Sequence, residues 1–167
     1  MPAPVRKGYS TLQIGLHWAV AILIAVQFLF HNPMEDAWDA LRDGCAIPAE
    51  AAFGANVHAI VGLTILVLSL SRLYLRFTRG VPPLPEDEPA PLKLVANGTH
   101  VLLYALIIGM PLGGAAAWFL GVAPAAWLHG LGAPVLFFLV LLHIVGGLFQ
   151  KFVLKSNVLT RMAVPEK

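Results

Sequence analysis

The sequence predicts an all-α protein, an integral membrane four-helix bundle built as one domain over residues 1–167. Three observations predict it. The chain is 58% hydrophobic and 12% charged, where an ordinary soluble domain has roughly 45–50% and about 25%. Four apolar runs reach the ~20 residues that a bilayer core demands of a helix. The basic residues fall almost entirely on one side of those runs. None of the runs shows the period-two alternation of a membrane β-strand, so each is read as a helix.

The first helix is expected over about 12–30, LQIGLHWAVAILIAVQFLF. Arg6 and Lys7 precede it as they would a signal peptide. The run is longer than the ~7–15 apolar residues of a signal core, and it carries Gln13 and His17, so a span is the better reading. An acidic outer loop of about two dozen residues follows, HNPMEDAWDALRDGCAIPAEAAF. It holds Cys45, the single cysteine, which excludes an intramolecular disulfide and a cysteine-based metal cluster. The second helix is expected over about 55–75. The inner loop RGVPPLPEDEPAPLK is rich in proline and acid, and reads as an extended connector. The third helix runs over about 94–119, where Pro111 with Gly113 and Gly114 predicts a kink. A very short outer turn leads to the fourth helix, about 127–153. Trp18, Trp38, Trp118 and Trp127 fall near the expected interfaces, as an aromatic belt would.

Loop charge sets the orientation. Arg6, Lys7, Arg72, Arg76, Arg79, Lys93, Lys151, Lys155, Arg161 and Lys167 belong to one side or to the helix ends beside it, and Arg42 alone to the other. This bias predicts that both termini face the cytoplasm. The net charge of +2 comes without a basic stripe, so no nucleic-acid partner is expected.

Histidine inside a membrane helix is costly and marks function. Five of the six histidines lie in or at the edge of a predicted span. His129 and His143 are separated by fourteen residues, within roughly 40° of four full turns, so both rings leave one face about 21 Å apart along the axis. By depth, His58 near the outer end of its helix can face His129, and His17 near the inner end of its own can face His143. Two imidazoles from different helices, one on each side of a porphyrin, is the arrangement that axial ligation of haem requires. A flat macrocycle needs room beside each ligand. The neighbours four residues away are Gln13 and Ala21, Gly54 and Gly62, Ala125 and Ala133, and Leu139 and Gly147. Most are Gly or Ala, although small residues serve helix contact equally well. Zinc or copper would want about four ligands around one point, and no Asp or Glu lies inside a span. His100 opens the third helix on the inner side, where Gln150 or Lys151 could be its partner. It is either an interfacial residue or a proton-handling group at a quinone pocket. His31 is expected to be interfacial, and Cys45 a thiol without a task.

The segments YSTLQIGLHW, VHAIVGLTILVLSLSRLYLR, THVLLYALIIGMPLGG, and LLHIVGG with SNVLTRM resemble those of the bacterial cytochrome b561 family. The resemblance runs from Tyr9 to Met162. It implies two stacked b haems in the bundle, ligated by His17, His58, His129 and His143, in the same pairs that depth suggests. It implies a multi-pass protein of the bacterial inner membrane. Some relatives resemble superoxide oxidases, in which superoxide reduces the outer haem and ubiquinone is reduced through the inner one. Others are cytochrome b subunits of hydrogenases and dehydrogenases and tend to be longer. One departure is plain: Gln150 and Lys151 stand where the superoxide-oxidising relatives are expected to have a histidine. That position and His100 form the expected quinone site.

The reading is a transmembrane electron conduit, an oxidoreductase carrying electrons between an outer (periplasmic) donor, superoxide for one, and membrane ubiquinone. With both axial positions filled, the iron has no open site, so outer-sphere transfer is expected. The acidic outer loop does not help to attract an anion such as superoxide. A cytochrome b subunit docked to a partner dehydrogenase or hydrogenase is the second reading, inert toward superoxide on its own. A cofactor-free transporter or structural protein is the third, and would be colourless.

Overall fold

Ser10 supplies the cap that starts the first span. Its hydroxyl accepts from the Gln13 backbone N–H, and the Gln13 side chain accepts from the Ser10 N–H, the reciprocal pair that satisfies two orphan donors. The computed structural model describes residues 7–85 and 88–166. Among these, the helices are α1 (Thr11–Leu29), α2 (Asn32–Arg42), α3 (Ala49–Thr78), α4 (Ala90–Leu120), α5 (Ala123–Phe152) and α6 (Val158–Arg161). Of the expected basic set, Arg6 and Lys167 lie outside the described residues.

α1, α3, α4 and α5 are the four membrane-length helices. Large apolar side chains such as Ile22, Phe53, Ile60, Leu102, Phe138 and Val145 point outward and stand half or more exposed. Only lipid can cover such a surface, since backbone and side chains there have no water to meet. α3 and α4 each run several residues past the apolar runs. Alanine, leucine and arginine favour helix, and a helix need not stop at the bilayer core. Pro111 lies inside α4, which continues through it. Gly121, at φ +67°, closes α4 in the left-handed region that glycine tolerates. α5 begins two residues later.

The connection expected on the outer side is not all loop. Asn32–Arg42 forms α2, with Pro33 in its first turn and Glu35 at its positive end. It packs along α3, burying Ala37 against Ala51 and Ala55, with Met34, Ile47 and Trp118 around them. Gly54 makes this possible, because a Cβ there would overlap Pro33.

The bundle core is one apolar layer: Val20 and Ile24 of α1, Ile65 of α3, Ile107 of α4 and Leu136 of α5. Packing runs α1 to α3, α3 to α4 and α4 to α5. Among the described residues, no Cα of α5 comes within 8 Å of a Cα of α1 or α3. The helices that carry the facing histidines are therefore held apart. At the opposite end from α2, the described termini and the α3–α4 loop are tied together. Lys7 N–H donates to Glu166, Glu166 N–H to the Tyr9 carbonyl, Trp18 Nε1 to the Met162 carbonyl, Gln13 to the Gly80 carbonyl and Arg161 to the Pro83 carbonyl.

Candidate functional site

The fourteen-residue interval of α5 recurs on α3 and α4, and from α1 to a residue just past its end. His17 and His31 mark α1 and its outer end, His58 and Arg72 mark α3, His100 and Gly114 mark α4, and His129 and His143 mark α5. Fourteen residues return to nearly the same face about 21 Å along the axis. The bundle thus has two levels, the expected outer one beside α2 and the expected inner one beside the tied end. Ile65, Ile107 and Leu136 each lie midway between the two marks on their helix, so the apolar core layer separates the levels.

At the outer level, the His58 and His129 rings are 6.1 Å apart between centres, with planes inclined by 69°. The Met110 carbonyl accepts from His129 Nδ1 at 2.8 Å. A carbonyl only accepts, so Nδ1 carries the proton and Nε2 keeps its lone pair. Gly114 gives this ring its space: a Cβ there would come within 3.0 Å of His129 Cε1 and Nδ1. Gln27 donates to the His58 carbonyl at 3.0 Å, and His58 Nδ1 is buried without a hydrogen-bond partner among the described residues. Both rings line a largely apolar cavity of about 810 Å³ that reaches His31, Glu35, Asp39 and Trp118. His31 sits at its rim, bonded to the Phe28 carbonyl and 3.8 Å from Glu35.

At the inner level, the His17 and His143 rings are also 6.1 Å apart, inclined by 55°. His100 joins them, its ring 5.2 Å from that of His143 and its Nδ1 donating to the Ala96 carbonyl. Arg72 donates from Nη2 to His17 Nδ1 at 3.0 Å. A guanidinium only donates, so the proton of His17 sits on Nε2 here; a metal bound at Nε2 would move that proton to Nδ1 and release Arg72 from the ring. Trp18 packs edge-on against His17. Tyr9, just before α1, belongs to the same cluster; burial raises its phenol above the usual range, with Arg76 pulling the other way.

The structure thus brings together His58 with His129 and His17 with His143. Among the described residues, no hydrogen bond links His100 to Gln150 or Lys151. Gln150 donates to Glu88 and accepts from Ser156, beside a cleft of about 200 Å³ that Lys155, Asn157 and Arg161 also line. Lys151 reaches Thr160 at 3.5 Å. Cys45 is exposed and free. Sequence reasoning passed over Arg72, Met110, Gly114 and Gln27. The interval from His58 to Arg72 was the available signal for the first, and that from His100 to Gly114 for the third. Nothing in sequence marks which carbonyl a ring will meet.

Both pairs fit a haem iron. A ring nitrogen stands about 2 Å from the metal it ligates, with its ring centre roughly 1 Å behind, so two ligands on opposite faces place their centres about 6 Å apart. Each pair has that separation. Each also spans a gap between helices whose backbones stay apart, and the outer pair opens on a cavity of ligand size. Among the described residues, no three His, Cys, Asp or Glu side chains form a metal-binding group.

Comparison with known proteins gives a single direction. The profile of the family described as prokaryotic cytochrome b561 matches residues 8–164. A protein of Cereibacter sphaeroides named cytochrome b562 is 42% identical over 160 residues, 96% of this chain and 98% of the relative. A Yersinia pestis protein named probable superoxide oxidase CybB is 28% identical, with 98% and 99% of the two chains covered. An Escherichia coli protein named cytochrome b561 homolog 1 is 26% identical over 92% of this chain and 96% of its own.

Proposed function

The chain belongs to the prokaryotic cytochrome b561 family, and from that premise we propose that it is a di-haem conduit for electrons across the bacterial inner membrane. It is a membrane cytochrome of b type by family; the number of haems, their ligands, the donor and the acceptor are our reading. The observation that carries it is the pair of histidine pairs, each 6.1 Å between ring centres, at two levels of one bundle. His58 and His129 would hold the outer haem, His17 and His143 the inner. Bound there, each haem supplies a one-electron couple on an iron with no free coordination position.

The residues of the chain do the rest. Met110 fixes the tautomer of His129 and raises its basicity, as outer partners of metal-bound imidazoles do. The apolar layer of Val20, Ile24, Ile65, Ile107 and Leu136 keeps water out between the levels. Both termini lie on the cytoplasmic side, which the clustering of basic residues at the tied end supports. Ubiquinone is the proposed acceptor at that end. It takes two electrons and two protons, and His100, 5.2 Å from His143 and near the inner mouth of α4, is the proposed proton-handling group. Gln150 and Lys151, bonded to Glu88, Ser156 and Thr160, would reach the headgroup only with the donors those bonds leave over.

Superoxide is the proposed donor, following the name of the Yersinia relative. Two superoxide ions would release two O₂ and two electrons, and one ubiquinone with two protons would become one ubiquinol. The name of the Yersinia relative, an oxidase covered over 99% of its length, supports an oxidoreductase in its own right over a subunit that requires a dehydrogenase partner. The test is ubiquinol formation by the purified full chain in ubiquinone vesicles under an external superoxide source. Ubiquinol formation abolished by superoxide dismutase is expected. Reduction of neither haem by superoxide would overturn the donor, and haem reduction without ubiquinol would overturn the acceptor.

A further inference from the structure

Arg72 and Arg76 stand one turn apart on α3, inside a helix of membrane length. Both guanidiniums lie over the Tyr104 ring, 5.7 and 6.0 Å from its centre. Both side chains are half-buried. Among the described residues, neither forms an ion pair with a carboxylate. The cation–π contact offsets part of the cost of two half-buried like charges side by side, but it supplies no negative charge. Cations in this position ordinarily pair with an anion.

The geometry narrows the anion. A guanidinium carries five N–H donors in a planar fork; the hydrogen bond of Arg72 to His17 uses one. Two such forks in adjacent turns suit planar, two-oxygen acceptors, and carboxylate is the commonest of these. Arg72 touches the ring of His17, so the anion must come with whatever occupies the gap between His17 and His143. Haem b brings propionate carboxylates at its edge. The outer level offers a contrast, since among the described residues no arginine or lysine lines its cavity.

We propose that Arg72 and Arg76 form a carboxylate clamp that holds the propionates of the inner haem. The proposal rests on the reading that His17 and His143 ligate a haem. Phosphate of a lipid headgroup shares the chemistry, and the test separates the two.

The experiment uses the full chain carrying His129→Ala, so that only the inner site remains, purified without haem. It is titrated with haem b and with haem dimethyl ester, whose propionates carry no charge. With both arginines present, the free acid should bind at least tenfold more tightly than the ester. With Arg72→Leu and Arg76→Leu together, the preference should vanish, and with lysine at both positions part of it should return. Equal affinity for acid and ester in the arginine chain would overturn the clamp; that arm decides even where the leucine chain fails to fold. A preference that survives in the leucine chain would also overturn it. So would a preference seen in neutral detergent and lost in phosphatidylglycerol nanodiscs, since the arginines would then serve headgroup phosphate. A His129→Ala chain that binds no haem at all, beside a wild-type chain that does, fails the two-haem reading itself and the clamp with it.

Discussion

The inner and outer levels share a ligand geometry and differ in almost everything around it. Each has two imidazoles with ring centres 6.1 Å apart. The inner pair is surrounded by a third histidine, Tyr104 and two guanidiniums that have no carboxylate partner among the described residues. The outer pair faces an apolar cavity roofed by α2, with Glu35 and Asp39 on its lining and a carbonyl fixing one ring. The difference teaches how one repeated frame becomes a directional device. Positive charge stabilises an added electron and negative charge opposes it, more strongly in a dry interior than in water. On the proposed reading, these surroundings would favour flow from the outer level to the inner, and His100 would stand where the electrons arrive.

Breaking either level separately is the largest test of this contrast. His58→Ala should remove the outer haem and leave the inner one, and His17→Ala should do the reverse. The check is haem per chain with spectra of the two species; loss of both haems from each variant would show one coupled site instead of two. Next in size, His100→Ala should slow ubiquinol formation by on the order of 10²-fold, the usual worth of a positioned proton donor, with haem reduction by the outer donor unchanged. Gln150→Ala and Lys151→Ala should have smaller effects, because both side chains are bonded within the chain. Equal slowing by all three would restore a shared pocket.

The space around the outer ring gives a moderate effect. Gly114→Ala sets a Cβ within 3.0 Å of His129, an overpacking worth roughly 1–3 kcal/mol. Outer haem affinity should fall while the inner site is untouched. The smallest effect sharpens the electrostatic side of the comparison. Glu35→Gln should speed reduction by an anionic donor a few-fold at low salt, and the gain should fade as salt rises. A gain independent of salt would assign Glu35 a contact role instead.

The membrane helices were legible because length and apolarity decide them. Each observed span contains its predicted run, or nearly so, and the ends extend where the chain leaves the bilayer core without losing helix propensity. α2 was not legible. Its stretch is acidic and short, and what fixes it is tertiary: Ala37 against Ala51 and Ala55, admitted by Gly54. The histidine levels could be read from depth alone, since rise per residue is fixed. Facing could not. The rotation of α4 that sets His100 against His143 follows from side-chain packing, and the bonds of Gln150 to Glu88 and Ser156 depend on how the C-terminal segment folds back. Arg72 was visible in sequence but counted only as loop charge, although it repeats the interval that made the histidines conspicuous.

The central claim is two haems at two levels of one bundle, and the direct measurement is the haem content of the purified wild-type chain by pyridine haemochrome against protein determined by amino-acid analysis. Two haems b per chain are expected, falling to one in His129→Ala. One haem per wild-type chain, or none, would contradict the account.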